Sequence, residues 1–204
     1  ITTSDGEKVI SVSLDRTLRV WELATGREIW KLATGREIGQ FYAKHIPKDC
    51  AVTPDGKKVV SVGSDPQIQV WNLSTGEELF TLENTERKNR ERIYSSHDAQ
   101  SCSITPDGKK LVVAYDDDIE LWDLESGELL DSIENAHEEW IYGCDITRDG
   151  KFLITASWDR RLQSWSIEDR LESYYDFSGH DGKMYDCAIS PDGKTIVFAS
   201  DRDS

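Results

Sequence analysis

The chain has 204 residues, enough for one sizeable core or two small ones. It is 37% hydrophobic and 31% charged, which suits a soluble globular protein rich in surface turns, and its apolar runs fall short of the roughly 18 residues a membrane-spanning helix needs. A formal net charge of −15 argues against bulk DNA or RNA binding and against an anionic membrane surface, and favours basic partners.

Taken along the chain, the first expected element is the apolar run VISVS (9–13), which follows an Asp5-Gly6 turn. A strand LRVW (18–21) comes next, then a turn ATG (24–26). Here a nine-residue unit occurs twice, WELATGREI at 21–29 and WKLATGREI at 30–38. The pattern then restarts with CAV (50–52), Asp55-Gly56, VVSVG (59–63), IQVW (68–71), STG (74–76) and EELFTL (77–82). A charged segment at 83–96 intervenes, the one locally basic island of the chain, and reads as an inserted loop. Two more rounds follow, CSI–Asp107-Gly108–LVVAY–IELW–ESG and CDI–Asp149-Gly150–FLITAS–LQSW. A last, shorter round is CAI–Asp192-Gly193–TIVFAS.

The Asp-Gly turns recur at intervals of 50, 52, 42 and 43 residues, and Trp21, Trp71, Trp122 and Trp165 at 50, 51 and 43. The unit is therefore about 42 residues, lengthened in two places. Short β-rich strands split by Gly, Asp and Pro turns indicate an all-β architecture, and four strands per 40–45 residues is the period of a propeller blade. Trp21 follows Asp15 by six residues, as Trp71 follows Asp65 and Trp165 follows Asp159. Trp30 has Ala24 at that offset and no β-run upstream. The first copy of the nine-residue unit is therefore expected to form third strand, turn and fourth-strand start. The second is expected as an insertion near a blade junction, and its shared REI leaves the fourth strand two possible registers.

The stretches CSITPDGKKLVVAYDDDIELWDLESGELL and AHEEWIYGCDITRDGKFLITASWDRRLQSW resemble WD repeats, and the likeness recurs in register over nearly the whole chain. The Thr-Pro-Asp-Gly-Lys-Lys style is similar to prokaryotic multidomain WD-repeat proteins. The last unit, SPDGKTIVFASDRDS, also resembles the repeat of Tol-type propellers. The resemblance implies an all-β WD-repeat β-propeller of four-stranded antiparallel blades, in part only. As one domain over 1–204, its blades would be 1–39 (partial), 40–82, 97–133, 137–176 and 180–204 (partial).

Each cysteine, Cys50, Cys102, Cys144 and Cys187, stands five residues before an Asp-Gly aspartate. This is one equivalent position per blade, read as a buried free thiol and not as a disulfide or metal ligand. Thiols kept free favour a reducing compartment, and a cytoplasmic location is expected. The histidines His45, His97, His137 and His180 each precede an Asp-Gly unit. In WD repeats such a His, a turn Asp, a Ser or Thr and a third-strand Trp form a structural hydrogen-bonded set. The fourth unit carries His137, Thr155 or Ser157, Asp159 and Trp165. The second carries His45, Ser61, Asp65 and Trp71. The third carries His97, Asp116 or Asp117, and Trp122, with no Ser or Thr in place. Asp15 and Trp21 stand in the first unit and His180 in the last. YDDDIE (115–120) lacks the Gly and distal Glu of an EF-hand loop and reads as a tight solvated turn.

Trp140, Tyr142, Trp158 and Tyr185 fall where WD repeats present top-face residues, with Arg160 beside Trp158. They are read either as partner-binding anchors or as packing between blades. The function implied is a non-catalytic protein–protein interaction scaffold or sensor, binding another protein or peptide, basic in charge. No cofactor, metal, nucleic acid or membrane is expected, and open blade edges would permit self-association. Two alternatives stand beside it. One is a propeller appended to an enzyme such as a STAND-type nucleotidase, kinase or hydrolase. The other is a designed or rearranged propeller.

Overall fold

The computed structural model describes residues 1–33, 37–38, 41–42, 46–64, 67–85, 98–177, 179 and 181–201, of which 32–33, 37–38 and 41–42 are described by backbone alone. The fold is all-β and is built of antiparallel sheets ordered as the chain runs. It divides into two compact units, Ile1–Ala99 and Gln100–Ser204.

In the first unit, β1 (Lys8–Ser13), β2 (Thr17–Glu22) and β3 (Glu28–Ala33) form a three-stranded sheet. Thr2 adds a single bridge to Val9 on the free side of β1. After a two-residue pair, β4 (Glu37–Ile38) with β5 (Phe41–Tyr42), comes a four-stranded sheet. Its strands are β6 (Pro47–Val52), β7 (Lys58–Gly63), β8 (Ile68–Asn72) and β9 (Glu78–Leu82).

The second unit holds two four-stranded sheets and a two-stranded one. The first begins at the unit boundary, with β10 (Ala99–Ile104), β11 (Lys110–Tyr115), β12 (Asp118–Asp123) and β13 (Leu129–Ile133). The second has β14 (Ile141–Ile146), β15 (Phe152–Ser157), β16 (Leu162–Ser166) and β17 (Glu172–Phe177). The last has β18 (Met184–Ile189) and β19 (Ile196–Ser200). These are propeller blades, three of them with all four strands.

The Asp-Gly turns explain why the first two strands of each blade meet. Thr3, Thr53, Thr105, Thr147 and Ser190 each donate a hydroxyl to the aspartate two residues on, at 2.5–2.6 Å. That same oxygen accepts the backbone N–H two residues further, as Lys57 does to Asp55 at 3.0 Å. Gly56 then takes φ +67, a left-handed conformation in which a Cβ is strained. The hydroxyl bonds lead in holding all five carboxyls below their ordinary pKa.

The second strand of each complete blade is central and apolar. In β11 and β15 every residue after the first is buried. The fourth strands are the exposed ones, β17 along nearly its whole length. Each third-strand tryptophan sits at a register shift against the fourth strand: Trp21, Trp71, Trp122 and Trp165. The extra residue of this bulge lies on the fourth strand, between the partners of the tryptophan and of the residue before it.

The duplication resolves at backbone level. Glu22 closes β2, Leu23–Gly26 turn the chain, and β3 runs from Glu28 through Trp30 to Ala33. So β3 begins in the first copy and ends inside the second. Trp30 is neither in an enlarged loop nor at a strand's end. It lies within β3, half-buried, with its indole Nε1 donating to the Leu73 carbonyl at 2.9 Å and its ring 3.4 Å from where a Cβ on Gly76 would stand. The remainder of the second copy reaches the short β4–β5 pair.

The YDDDIE turn is tight, as expected, but it is not solvated. Asp116 and Asp118 are buried, and Glu120 has 0% exposure. Neighbouring chain explains this, because segment 135–141 folds over the turn. Asn135 donates its N–H to Asp118 Oδ1 at 2.9 Å, and the carbonyls of Asp117 and Asp116 accept N–H from His137 and Ile141.

Candidate functional site

Two constellations of expected residues come together in the second unit. The first is buried. His137 Nδ1 lies 2.8 Å from Asp159 Oδ2, and His137 Nε2 lies 2.7 Å from Thr155 Oγ1. Trp165 Nε1 donates to that same Thr155 hydroxyl at 2.9 Å. Both ring nitrogens of His137 are thus engaged, Nδ1 with the Asp159 carboxylate and Nε2 with the Thr155 hydroxyl, which also takes the indole proton of Trp165. Burial pushes the Asp159 carboxyl up. Hydrogen bonds from His137 and from the N–H groups of Glu138 and Arg161 outweigh that and hold it below its ordinary value. The order hydroxyl–imidazole–carboxylate resembles a nucleophile relay, but the His137 and Asp159 side chains are 0% and 3% exposed. No substrate reaches Thr155 Oγ1, which is itself fully buried.

Of the two hydroxyls considered for this set, Thr155 takes the bridging place. Ser157 shapes the turn instead: its Oγ donates to the Glu139 carbonyl at 3.0 Å and accepts the Asp159 N–H at 3.1 Å. Register separates them. Thr155 pairs with Gln163, two residues before Trp165, so it faces the indole. Ser61 holds the same place against Gln69 and accepts the Trp71 indole at 3.0 Å. Ser11, not singled out from sequence, does so for Trp21 at 2.8 Å. In the third unit Val113 stands there, and Trp122 donates to the Glu120 carboxylate at 3.1 Å. Glu120 was also missed, though its spacing two before the Trp was readable. Among the described residues, the contacts of the Asp15 carboxylate are with its own turn and strand. Asp15 accepts from Thr17 and Arg19, which bring its carboxyl down to about 2. His45, His97, His180 and Asp65 lie outside the described residues, as does 86–96 of the charged segment.

All four cysteines are buried, and none is in a disulfide. Burial first, then the Asp49 charge, pushes the Cys50 thiol up to about 12. Cys187 is pushed well up, mainly by burial.

The second constellation is at the surface. Tyr142 and Trp158 stack with centroids 4.7 Å apart, and Trp140 stacks on Trp158 at 5.9 Å. Tyr185 closes the group, 6.0 Å from Tyr142 and 5.8 Å from Trp158. Trp140 and Tyr185 remain 37% and 41% exposed. Trp140 and Tyr142 flank Ile141 at the start of β14, on one side of the strand. Trp158 heads the turn after β15, and its backbone N–H donates to the Trp140 carbonyl at 2.9 Å. Arg160 follows in that turn, exposed and at φ 72. Lys183 was not expected. It immediately precedes β18 as Trp140 immediately precedes β14, because Met184 and Ile141 pair with the equivalent Ser200 and Ser157. Aligning EEWIYGCDI with DGKMYDCAI would have found it.

A family profile described as "WD domain, G-beta repeat" matches residues 37–72, 88–123, 127–166 and 171–204, more than half of the chain. The chain belongs to the WD40-repeat family. Its WD40 repeats are offset from its blades: the matches at 127–166 and 171–204 take in β13 and β17, the last strands of the preceding sheets. Among relatives, U3 small nucleolar RNA-associated protein 12 of Saccharomyces cerevisiae is 37% identical over 71 residues, covering 34% of this chain and 8% of that protein. The guanine nucleotide-binding protein subunit beta of Schizosaccharomyces pombe is 36% identical over 72 residues, 35% of this chain and 23% of that protein. Antiviral protein SKI8 of S. cerevisiae is 27% identical over 92 residues, 37% and 23%. The chain thus spans under a quarter of the length of these relatives.

Proposed function

We propose that this WD40 chain is a non-catalytic protein–protein interaction module, and that it docks a partner through the Trp140–Tyr142–Trp158–Tyr185 face. The observation that carries the reading is a cluster of four rings, each against at least two others, with two of them more than a third exposed. Rigid aromatic side chains contribute large contact area at low entropic cost, and Trp and Tyr dominate binding hot spots. The net charge of −15 favours a basic partner segment. The only hydroxyl–His–Asp relay among the described residues is sealed in the core, which supports a role without chemistry.

The test is a peptide-display selection on the intact chain. Selected peptides should lose at least tenfold in affinity against Trp140→Ala, the truncation of one exposed anchor. The melting transition should be unchanged. Peptides that bind wild type and Trp140→Ala alike, or no peptides at all, refute the docking face.

A further inference from the structure

The Lys183 Nζ sits 4.3 Å from the centroid of the Trp158 ring. Trp158 and Tyr185 stand at 76° to each other, so they form two walls of a corner. A carboxylate completes it: Asp201 Oδ2 accepts the Tyr185 hydroxyl at 3.0 Å, and Asp201 Oδ1 accepts the Lys183 backbone N–H at 2.8 Å. Crossed aromatic faces beside a carboxylate are the chemistry that holds an organic cation. The chain places its own ammonium there, at the position where the neighbouring sheet carries Trp140.

We propose that this corner is a cation subsite, that Lys183 is its resident stand-in, and that a partner peptide engages it by inserting its own arginine or lysine in place of Lys183. The inference rests on the docking reading above. Lys183 is only half-buried and hangs on a flexible stem, so its head can leave for water. A guanidinium is planar and more weakly hydrated than an ammonium, so arginine gains more from the Trp158 face. The acidic chain draws such a segment in.

The probes are N-acetyl-arginine methylamide and its citrulline isostere, which keeps the shape and removes the charge. Binding to the intact chain is followed by the indole N–H resonances, with Trp158 assigned by Trp158→Phe. The arginine probe should shift the Trp158 signal and citrulline should not. Lys183→Ala, which empties the corner, should tighten arginine about fivefold. Asp201→Asn should weaken it. Unchanged or weaker binding by Lys183→Ala, or equal shifts from citrulline, overturns the proposal. Unaltered melting curves establish that both variants are folded. The display-selected peptides separate the two readings. If they depend on Trp140 but still bind once every arginine and lysine is neutralised, the docking face stands and the cation subsite falls. If they depend on neither, both fall.

Discussion

Replacing Thr155 by valine isolates the bridge at the centre of the fourth blade. Valine matches threonine in shape, so no cavity opens. What is lost is a hydroxyl that serves His137 Nε2 at 2.7 Å and Trp165 Nε1 at 2.9 Å. Each neutral bond is worth about 1 kcal/mol net, and each buried group left unpaired costs about 1–3 kcal/mol. The His137 side chain is fully buried, so water is not a ready substitute. A loss of about 2–4 kcal/mol is expected, in the midpoint of urea unfolding and in amide-exchange protection of β15 and β16. The third unit supplies the internal control. There Val113 stands at this place and Glu120 serves the indole. Adding Gln163→Glu, the position equivalent to Glu120, should therefore recover about 1 kcal/mol of the Thr155→Val loss. Thr155→Ser should cost far less than valine. A Thr155→Val loss under about 0.5 kcal/mol, the level of ordinary surface changes, refutes the bridge as a stabilising element.

Gly143→Ala should cost about 1–3 kcal/mol, because the new Cβ would stand 2.7 Å from Asp186 Cα and 2.8 Å from Cys187 N, backbone that cannot step aside. The acid limb of stability follows from Asp159, whose carboxyl is held low in the folded chain. Its contribution is complete above the unfolded carboxylate pKa and is lost as pH falls through the depressed folded value, so the gap between wild type and Asp159→Asn should narrow from neutral pH to about pH 3. The four buried thiols should resist a disulfide reagent at about pH 8 and all react once urea unfolds the chain, since exposed thiolate is what reacts. Deleting 30–38 restores the first interval to 41 residues yet should destabilise the first unit, since Gly39 would replace Trp30 in β3 and its bond to Leu73 would vanish. A more stable deletion variant would mean that the second copy is dispensable.

Strand order and the cysteine positions were legible because they rest on spacing, and spacing survives local variation. Asp-Gly turns fixed by a preceding hydroxyl recur in sequence and in geometry, from Thr3 to Ser190. The choice between Thr155 and Ser157 was not legible. Both alternate to the same side of β15, and only the pairing of Thr155 with Gln163 puts its hydroxyl under the indole. The buried state of Asp116, Asp118 and Glu120 was hidden for a different reason. Three acidic residues in a row imply water unless another segment covers them, and here segment 135–141 does. Lys183 was not legible from its residue type, because the place before β14 that holds the aromatic Trp140 holds a cation before β18.

The duplicated WELATGREI and WKLATGREI show why a repeat in sequence need not be a repeat in structure. A blade needs a second strand to carry the core, and the second copy has no apolar run before Trp30. What it does carry is the continuation Trp30-Lys31-Leu32-Ala33, which pairs with Thr17–Val20 of β2. Pairing at this point is decided by what Trp30 can reach. In register with Val20 it lies over the β8–β9 turn, where the Leu73 carbonyl takes its indole proton and Gly76 leaves room for the ring. Phe80 and Tyr175 hold the matching place in their own sheets, opposite Val70 and Ser164. A large aromatic thus stands at that point in three of the four fourth strands, and in β3 it is the first residue of the second copy. The register that REI alone leaves open is closed one residue later, by a tryptophan that belongs to the second copy and works for the first.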